Sequence, residues 1–72
     1  MMRMCIVNRN IPAMLANITA LLAKDHVNVE NMTNKSRGDY AYTMVDLGAK
    51  VEQNVIEDVM NLPGVIRVRV IE

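Results

Sequence analysis

Asn10 and Asn28 are the side chains whose type and placement could do chemistry in this chain, and that chemistry is binding. Asn8-Arg9-Asn10-Ile11-Pro12-Ala13 is a polar link between two apolar runs, Met4-Cys5-Ile6-Val7 and Met14-Leu15-Ala16-Asn17-Ile18. Pro12 has no backbone N–H and a preset φ, which suits the first turn of a helix. Asn10 is then expected at or near the N-cap, close to the free amide donors of the helix start. Asn28 opens the following strand pattern. Amide side chains beside an unsatisfied helix N-terminus can hold the carboxylate and ammonium of a zwitterion. In the plainer reading, Asn10 is an ordinary cap and Asn28 a polar residue on an exposed strand face.

Other chemistries find little support. His26 is the one histidine; it stands beside Asp25 at a helix end, without a second ligand or a nucleophile, and reads as a surface or capping residue. There is no Cys-x-x-Cys and the acidic residues are spread out, so no metal is expected. Gly38, Gly48 and Gly64 are single and form no Gly-x-Gly-x-x-Gly, so no nicotinamide or other cofactor is expected in this domain. Tyr40 and Tyr42 share one face of a strand, but no phenylalanine joins them. With 8 basic and 8 acidic residues the formal charge is zero, and neither nucleic acid nor an anionic membrane is expected as a partner. Arg67 and Arg69 read as a solvated sheet face, with an interdomain or dimer contact as the lesser alternative. Cys5 lies in an apolar strand and reads as a small buried hydrophobe; a lone cysteine fits a reducing cytoplasm. No apolar run approaches the roughly 18 residues of a membrane span. No catalytic residue is assigned.

The elements that must position the asparagines follow from periodicity. The apolar fraction is 51% over 72 residues, enough for one small domain spanning residues 1–72, near the lower size limit for a single core. A second copy or a neighbouring domain is expected to cover what the chain cannot bury alone. Arg3 to Val7 reads as a buried strand. Pro12 to Lys24 reads as a helix with Ile11, Leu15, Ile18 and Leu22 in one stripe, widened by Met14 and Leu21. Asp25-His26 ends it, at a place where glycine would be the comfortable residue. Val27 to Lys35 starts with alternation and then turns polar, as an edge strand does. Arg37-Gly38-Asp39 signals a turn into Tyr40 to Leu47, with Ala41, Thr43, Val45 and Leu47 on one face. A second helix runs from Val51 or Glu52 to Leu62, stopped by Pro63-Gly64. Val65 to Ile71 closes the pattern, with Ile66, Val68 and Val70 opposite Arg67 and Arg69. The order βαββαβ with right-handed crossovers predicts an α+β, ferredoxin-like fold. That is a four-stranded antiparallel sheet with two helices on one face and strands 2 and 4 at its edges.

This order, the loop Asn10-Ile11-Pro12-Ala13-Met14-Leu15, the segment Asp25-His26-Val27-Asn28-Val29 and the ending Leu62-Pro63-Gly64-Val65-Ile66-Arg67-Val68-Arg69 resemble an ACT domain. More narrowly, they resemble the C-terminal regulatory domain of D-3-phosphoglycerate dehydrogenase. The resemblance implies an amino-acid effector, L-serine in the serine-regulated members, and a homodimer formed side by side through edge strand 2. The effector would lie between the loop of one domain and the start of strand 2 of the other, and an attached NAD-dependent catalytic domain would respond. It implies contacts from Asn8, Asn10 and Asn28, with Ile11, Pro12 and Ala13 as a backbone rim. Three residues depart from the family's pattern: Ala13 and His26 stand where glycine is usual, and Asn8 where a histidine is frequent. A ligand-free dimerisation module, or an ACT domain of another protein of amino-acid metabolism, is the alternative.

Overall fold

A computed structural model describes residues 2–72 and shows the element order β1 (Met2–Arg9), α1 (Met14–Lys24), β2 (Val29–Arg37), β3 (Tyr40–Leu47), α2 (Gln53–Met60) and β4 (Val65–Ile71). The strands form one sheet in the order β2-β3-β1-β4, with every neighbouring pair antiparallel. The predicted ferredoxin-like architecture and its two edge strands are therefore observed.

Both helices lie on one face of the sheet. Met4, Ile6, Ile18, Leu22, Val45, Leu47 and Val59 are fully enclosed between the layers, and each such side chain contributes about 1.5–3 kcal/mol by leaving water. α1 buries Met14, Ile18 and Leu22 at i, i+4 and i+8. Ile18 and Leu22 of the expected stripe are buried and Met14 completes it, whereas Ile11 lies outside the helix, which begins two residues after Pro12, and Leu15 is exposed. α2 buries Val55 and Val59, one helical turn apart, and ends two residues before Leu62.

Two bulges reset the strand alternation. In β2 the pairing steps from Val29↔Leu47 to Asn31↔Asp46, so Glu30 is the extra residue. After it Met32, rather than Asn31, takes the core side. In β4 the pairing steps from Arg67↔Val7 to Val65↔Asn8, so Ile66 is extra. Ile66 is not the core residue that simple alternation makes it: it is 53% exposed, and Val65 packs on the core in its place. A bulge opposes two residues to one and shifts all later side chains by one face.

α1 closes with paired reverse bonds, from the Val27 N–H to the Leu22 carbonyl at 2.8 Å and from the His26 N–H to the Ala23 carbonyl at 3.0 Å. This motif needs a left-handed residue after the cap, and His26 adopts φ 59.

Candidate functional site

The β1–α1 loop is held from two sides. The Arg9 N–H donates to the Gly64 carbonyl at 2.7 Å, and the Asn10 N–H donates to the Asp39 carbonyl at 2.8 Å. The Asn10 side chain adds a bond from Nδ2 to the Gly38 carbonyl at 3.1 Å. Asn10 is therefore not the N-cap. Ala13 is, with φ 66 and ψ 7, and no side chain caps the helix. Pro12 is not in the first helical turn either. A proline followed by a left-handed residue is the pattern of a type II turn, so the Pro12 ring shapes that turn and the helix starts after it.

The left-handed Ala13 and His26 each cost about 1–2 kcal/mol relative to ordinary backbone, while glycine would lose about 0.5–1 kcal/mol more entropy on folding. Ala13→Gly is thus expected to raise unfolding free energy by roughly 0.5–1 kcal/mol, and His26→Gly to do the same, read by urea denaturation. A loss of stability in either variant would contradict the backbone assignment.

Beside this loop lies a cavity of about 170 Å³, lined by Asn8, Asn10, Ile11, Ala13, the first turn of α1 and Asn34. With no side-chain cap, the first amides of α1 are left for solvent or a ligand, and the helix dipole favours a negative group there. The floor is a chain of hydrogen bonds across three strands. Asn34 Nδ2 donates to Thr43 Oγ1 at 2.9 Å, the Thr43 hydroxyl donates to Asn8 Oδ1 at 2.9 Å, and Asn8 Nδ2 donates to the Arg9 carbonyl at 3.0 Å. Asn8 is 1% and Thr43 0% exposed. Asn8 thus lies at the cavity with its amide oxygen already engaged, and supports the loop from below. Leu15 and Ile11 supply an apolar, exposed rim.

Of the sequence-predicted residues, Asn8, Asn10, Ile11 and Ala13 line this one cavity and Pro12 lies within the loop between them. Asn28 does not join them within one chain. It lines a larger cavity of about 510 Å³ at the opposite end of α1, with Lys24, Asp25, His26, Lys50 and Asn54. Asp25 Oδ2 is buried there without a hydrogen-bond partner among the described residues. Thr43 and Asn34 are the residues that sequence reasoning missed. A threonine among Ala41, Val45 and Leu47 on a core-facing strand face was a visible signal; Asn34 was hidden by the bulge at Glu30, which put it on the same side as Thr43. Among the described residues no group of three or more His, Cys, Asp or Glu could hold a metal ion, and no helix is long and apolar enough to cross a membrane.

The structure is thus a four-stranded βαββαβ layer with a cavity at its first strand–helix loop. No family model matches the sequence, and no curated protein matches it. Solved structures match over nearly the whole chain. The ACT domain of the GTP pyrophosphokinase of Chlorobium tepidum is 15% identical, with a TM-score of 0.81 over 97% of this chain and 95% of that one. A homoserine dehydrogenase from Thiobacillus denitrificans is 22% identical with a TM-score of 0.80, covering 97% of this chain and 16% of that one. The ligand-free regulatory subunit of aspartate kinase from Thermus thermophilus is 9% identical with a TM-score of 0.71, covering 99% of this chain and 50% of that one. The fold is that of the ACT domains.

Proposed function

We propose that this chain is an amino-acid-binding regulatory domain, with L-serine as its effector and a D-3-phosphoglycerate dehydrogenase as the catalytic partner it controls. The observation that carries the binding reading is the cavity at the uncapped start of α1, where the loop amides and the helix dipole suit a carboxylate. The choice of serine and of the dehydrogenase is supported by the sequence resemblance alone. β2 supports the dimer: it is an edge strand whose residues are exposed apart from the half-buried Val29 and Met32, and an open edge is a template for pairing with a second copy. In such a pair Asn28 of one copy would face the loop of the other and bind the ammonium end of the ligand. An effector that bridges two copies favours the closed interface and shifts the catalytic domains by its differential affinity.

Titration calorimetry of the 72-residue chain against L-serine and a panel of other amino acids, with sedimentation to establish the dimer, tests this. Saturable heat with serine is expected, and Asn28→Ala should weaken it by roughly 1–3 kcal/mol, the range for losing a partner of a charged group. A confirmed dimer that gives no heat with any amino acid would instead support a ligand-free dimerisation module. Binding of a different amino acid with serine silent would retain the regulatory domain and reject the phosphoglycerate dehydrogenase assignment.

A further inference from the structure

The sheet face that carries no helices concentrates positive charge. Strand alternation and the pairing register place Arg3, Arg9, Lys35, Arg37, Arg67 and Arg69 on it, six of the 8 lysine and arginine residues in the chain. The carboxylate in the same rows is Asp46, and it is already used: Arg3 holds it through Nε at 2.6 Å and Nη2 at 3.1 Å. That guanidinium keeps the Asp46 carboxyl below its ordinary range. Arg67 and Arg69 make no ion pair or side-chain hydrogen bond among the described residues. They sit two residues apart on one strand, roughly 7 Å by strand rise, and repel each other without a counterion. Zero net charge for the molecule therefore conceals a strongly segregated surface.

Between these two arginines the sheet forms a groove of about 190 Å³, lined by Cys5, Val7, Tyr42, Arg67 and Arg69. Register gives its layout: Arg67 is opposite Val7, which is opposite Tyr42, and Arg69 is opposite Cys5. The floor is apolar, with Cys5 buried and Val7 half-buried. One wall carries two guanidinium forks and the other a phenol hydroxyl, a neutral donor. Contact with Cys5 raises the Tyr42 phenol above its usual value while Arg69 and Arg67 draw it down.

We propose that this groove is an anion-binding site, separate from the loop cavity, which takes a small ligand bearing a phosphate group. Two guanidinium forks match a dianion in charge and offer paired N–H donors to tetrahedral oxygens; the Tyr42 hydroxyl adds a third direction. Single-stranded nucleic acid would use the same cations but needs aromatic platforms on the central strands to stack bases. β3 has Tyr40 and Tyr42, whereas β1 presents Cys5 and Val7 on this face, so the observations favour a small ligand. The site does not depend on the effector reading, because it lies on the opposite face from α1.

The test is a nuclear magnetic resonance titration of the 72-residue chain with inorganic phosphate at constant ionic strength set by chloride. Saturating shifts at Cys5, Val7, Tyr42, Arg67 and Arg69 are expected. The double variant Arg67→Gln with Arg69→Gln should bind at least about tenfold more weakly, since both charge-assisted contacts are lost together. Both residues are exposed, so the variant keeps its dispersed spectrum. Arg9→Gln with Arg37→Gln should change affinity less than about twofold, and Tyr42→Phe should weaken binding by about threefold, a neutral hydrogen bond's share. Shifts that do not saturate, that equal those of chloride, or that centre on Met14 to Ala16 would overturn the proposal. So would an equal loss in the Arg9 and Arg37 pair, or a single-stranded oligonucleotide that binds far more tightly per phosphate.

Discussion

Gly64→Ala is expected to lower the unfolding free energy by about 2–3 kcal/mol, a combination of backbone strain and overpacking. Gly64 has φ +94, where an L-residue is strained. A Cβ there would stand 2.9 Å from Ile11 Cδ1 and 3.0 Å from Met14 Sδ. Ile11 is exposed and can swing aside; the Met14 side chain is buried and has less room to give. The same residue accepts the Arg9 N–H, so a shifted Gly64 also pulls on the end of β1. Gly38→Ala is the comparison that separates the two costs. Its φ is +62 but nothing lies within 4 Å of the added carbon, so strain alone acts and about 1 kcal/mol is expected. Urea denaturation of both variants checks the difference. Equal losses would mean that the α2–β4 turn does not press on the loop. Affinity for the proposed effector should fall in the Gly64 variant and stay unchanged in the Gly38 variant.

That coupling explains why some of the site was legible in the sequence and some was not. Pro63-Gly64 was readable as a helix stop, and a left-handed glycine is what the turn contains. That this stop would also brace the first loop depends on a bulge in β4, and a bulge leaves no mark in a run such as Val65-Ile66-Arg67-Val68, where apolar residues stand on both sides of it. The bulge at Glu30 was equally silent. It placed Met32 and Asn34 on the helix side by adding one residue, so a strand that simple alternation turned polar still contributes to the core and to the cavity floor. Element order survived these local shifts because hydrophobic periodicity over eight or more residues is stronger than a single-residue slip. The expected N-cap failed for a related reason: proline suits both a helix start and the second position of a turn, and only the left-handed Ala13 decides between them.

Charge shows the same limit. The balance of 8 basic against 8 acidic residues is a property of the chain, whereas the field near a ligand is a property of one face. Arg67 and Arg69 alternate with Val68 and Val70 and were readable as a charged sheet face. Arg9, from the end of β1, and Lys35, after the bulge in β2, join that face only through the pairing register.

Thr43→Val is expected to destabilise the domain by about 1–3 kcal/mol, although valine matches the shape of threonine and is the more apolar residue. The hydroxyl of Thr43 accepts from Asn34 and donates to Asn8, so its loss strands the buried Asn8 Oδ1, which has no other bonding partner among the described residues. Asn34 is exposed and can turn to solvent; Asn8 cannot. Thr43→Ser, which keeps the hydroxyl, should restore most of the hydrogen-bond contribution and lose about one methyl group's worth of burial, roughly 0.8 kcal/mol. The double variant with Asn8→Leu removes both buried partners and should be less destabilised than the two single changes added together, because no polar atom is then left unpaired. The coupling energy from denaturation of the four proteins is expected to be about 1 kcal/mol or more. Strict additivity would show that the network carries no energy of its own. Because Asn8 also fixes the Arg9 carbonyl at the entrance to the loop, Thr43→Val should weaken binding of the proposed effector through Asn8 and Asn34, which line the cavity, while Thr43→Ser should leave the affinity near its starting value.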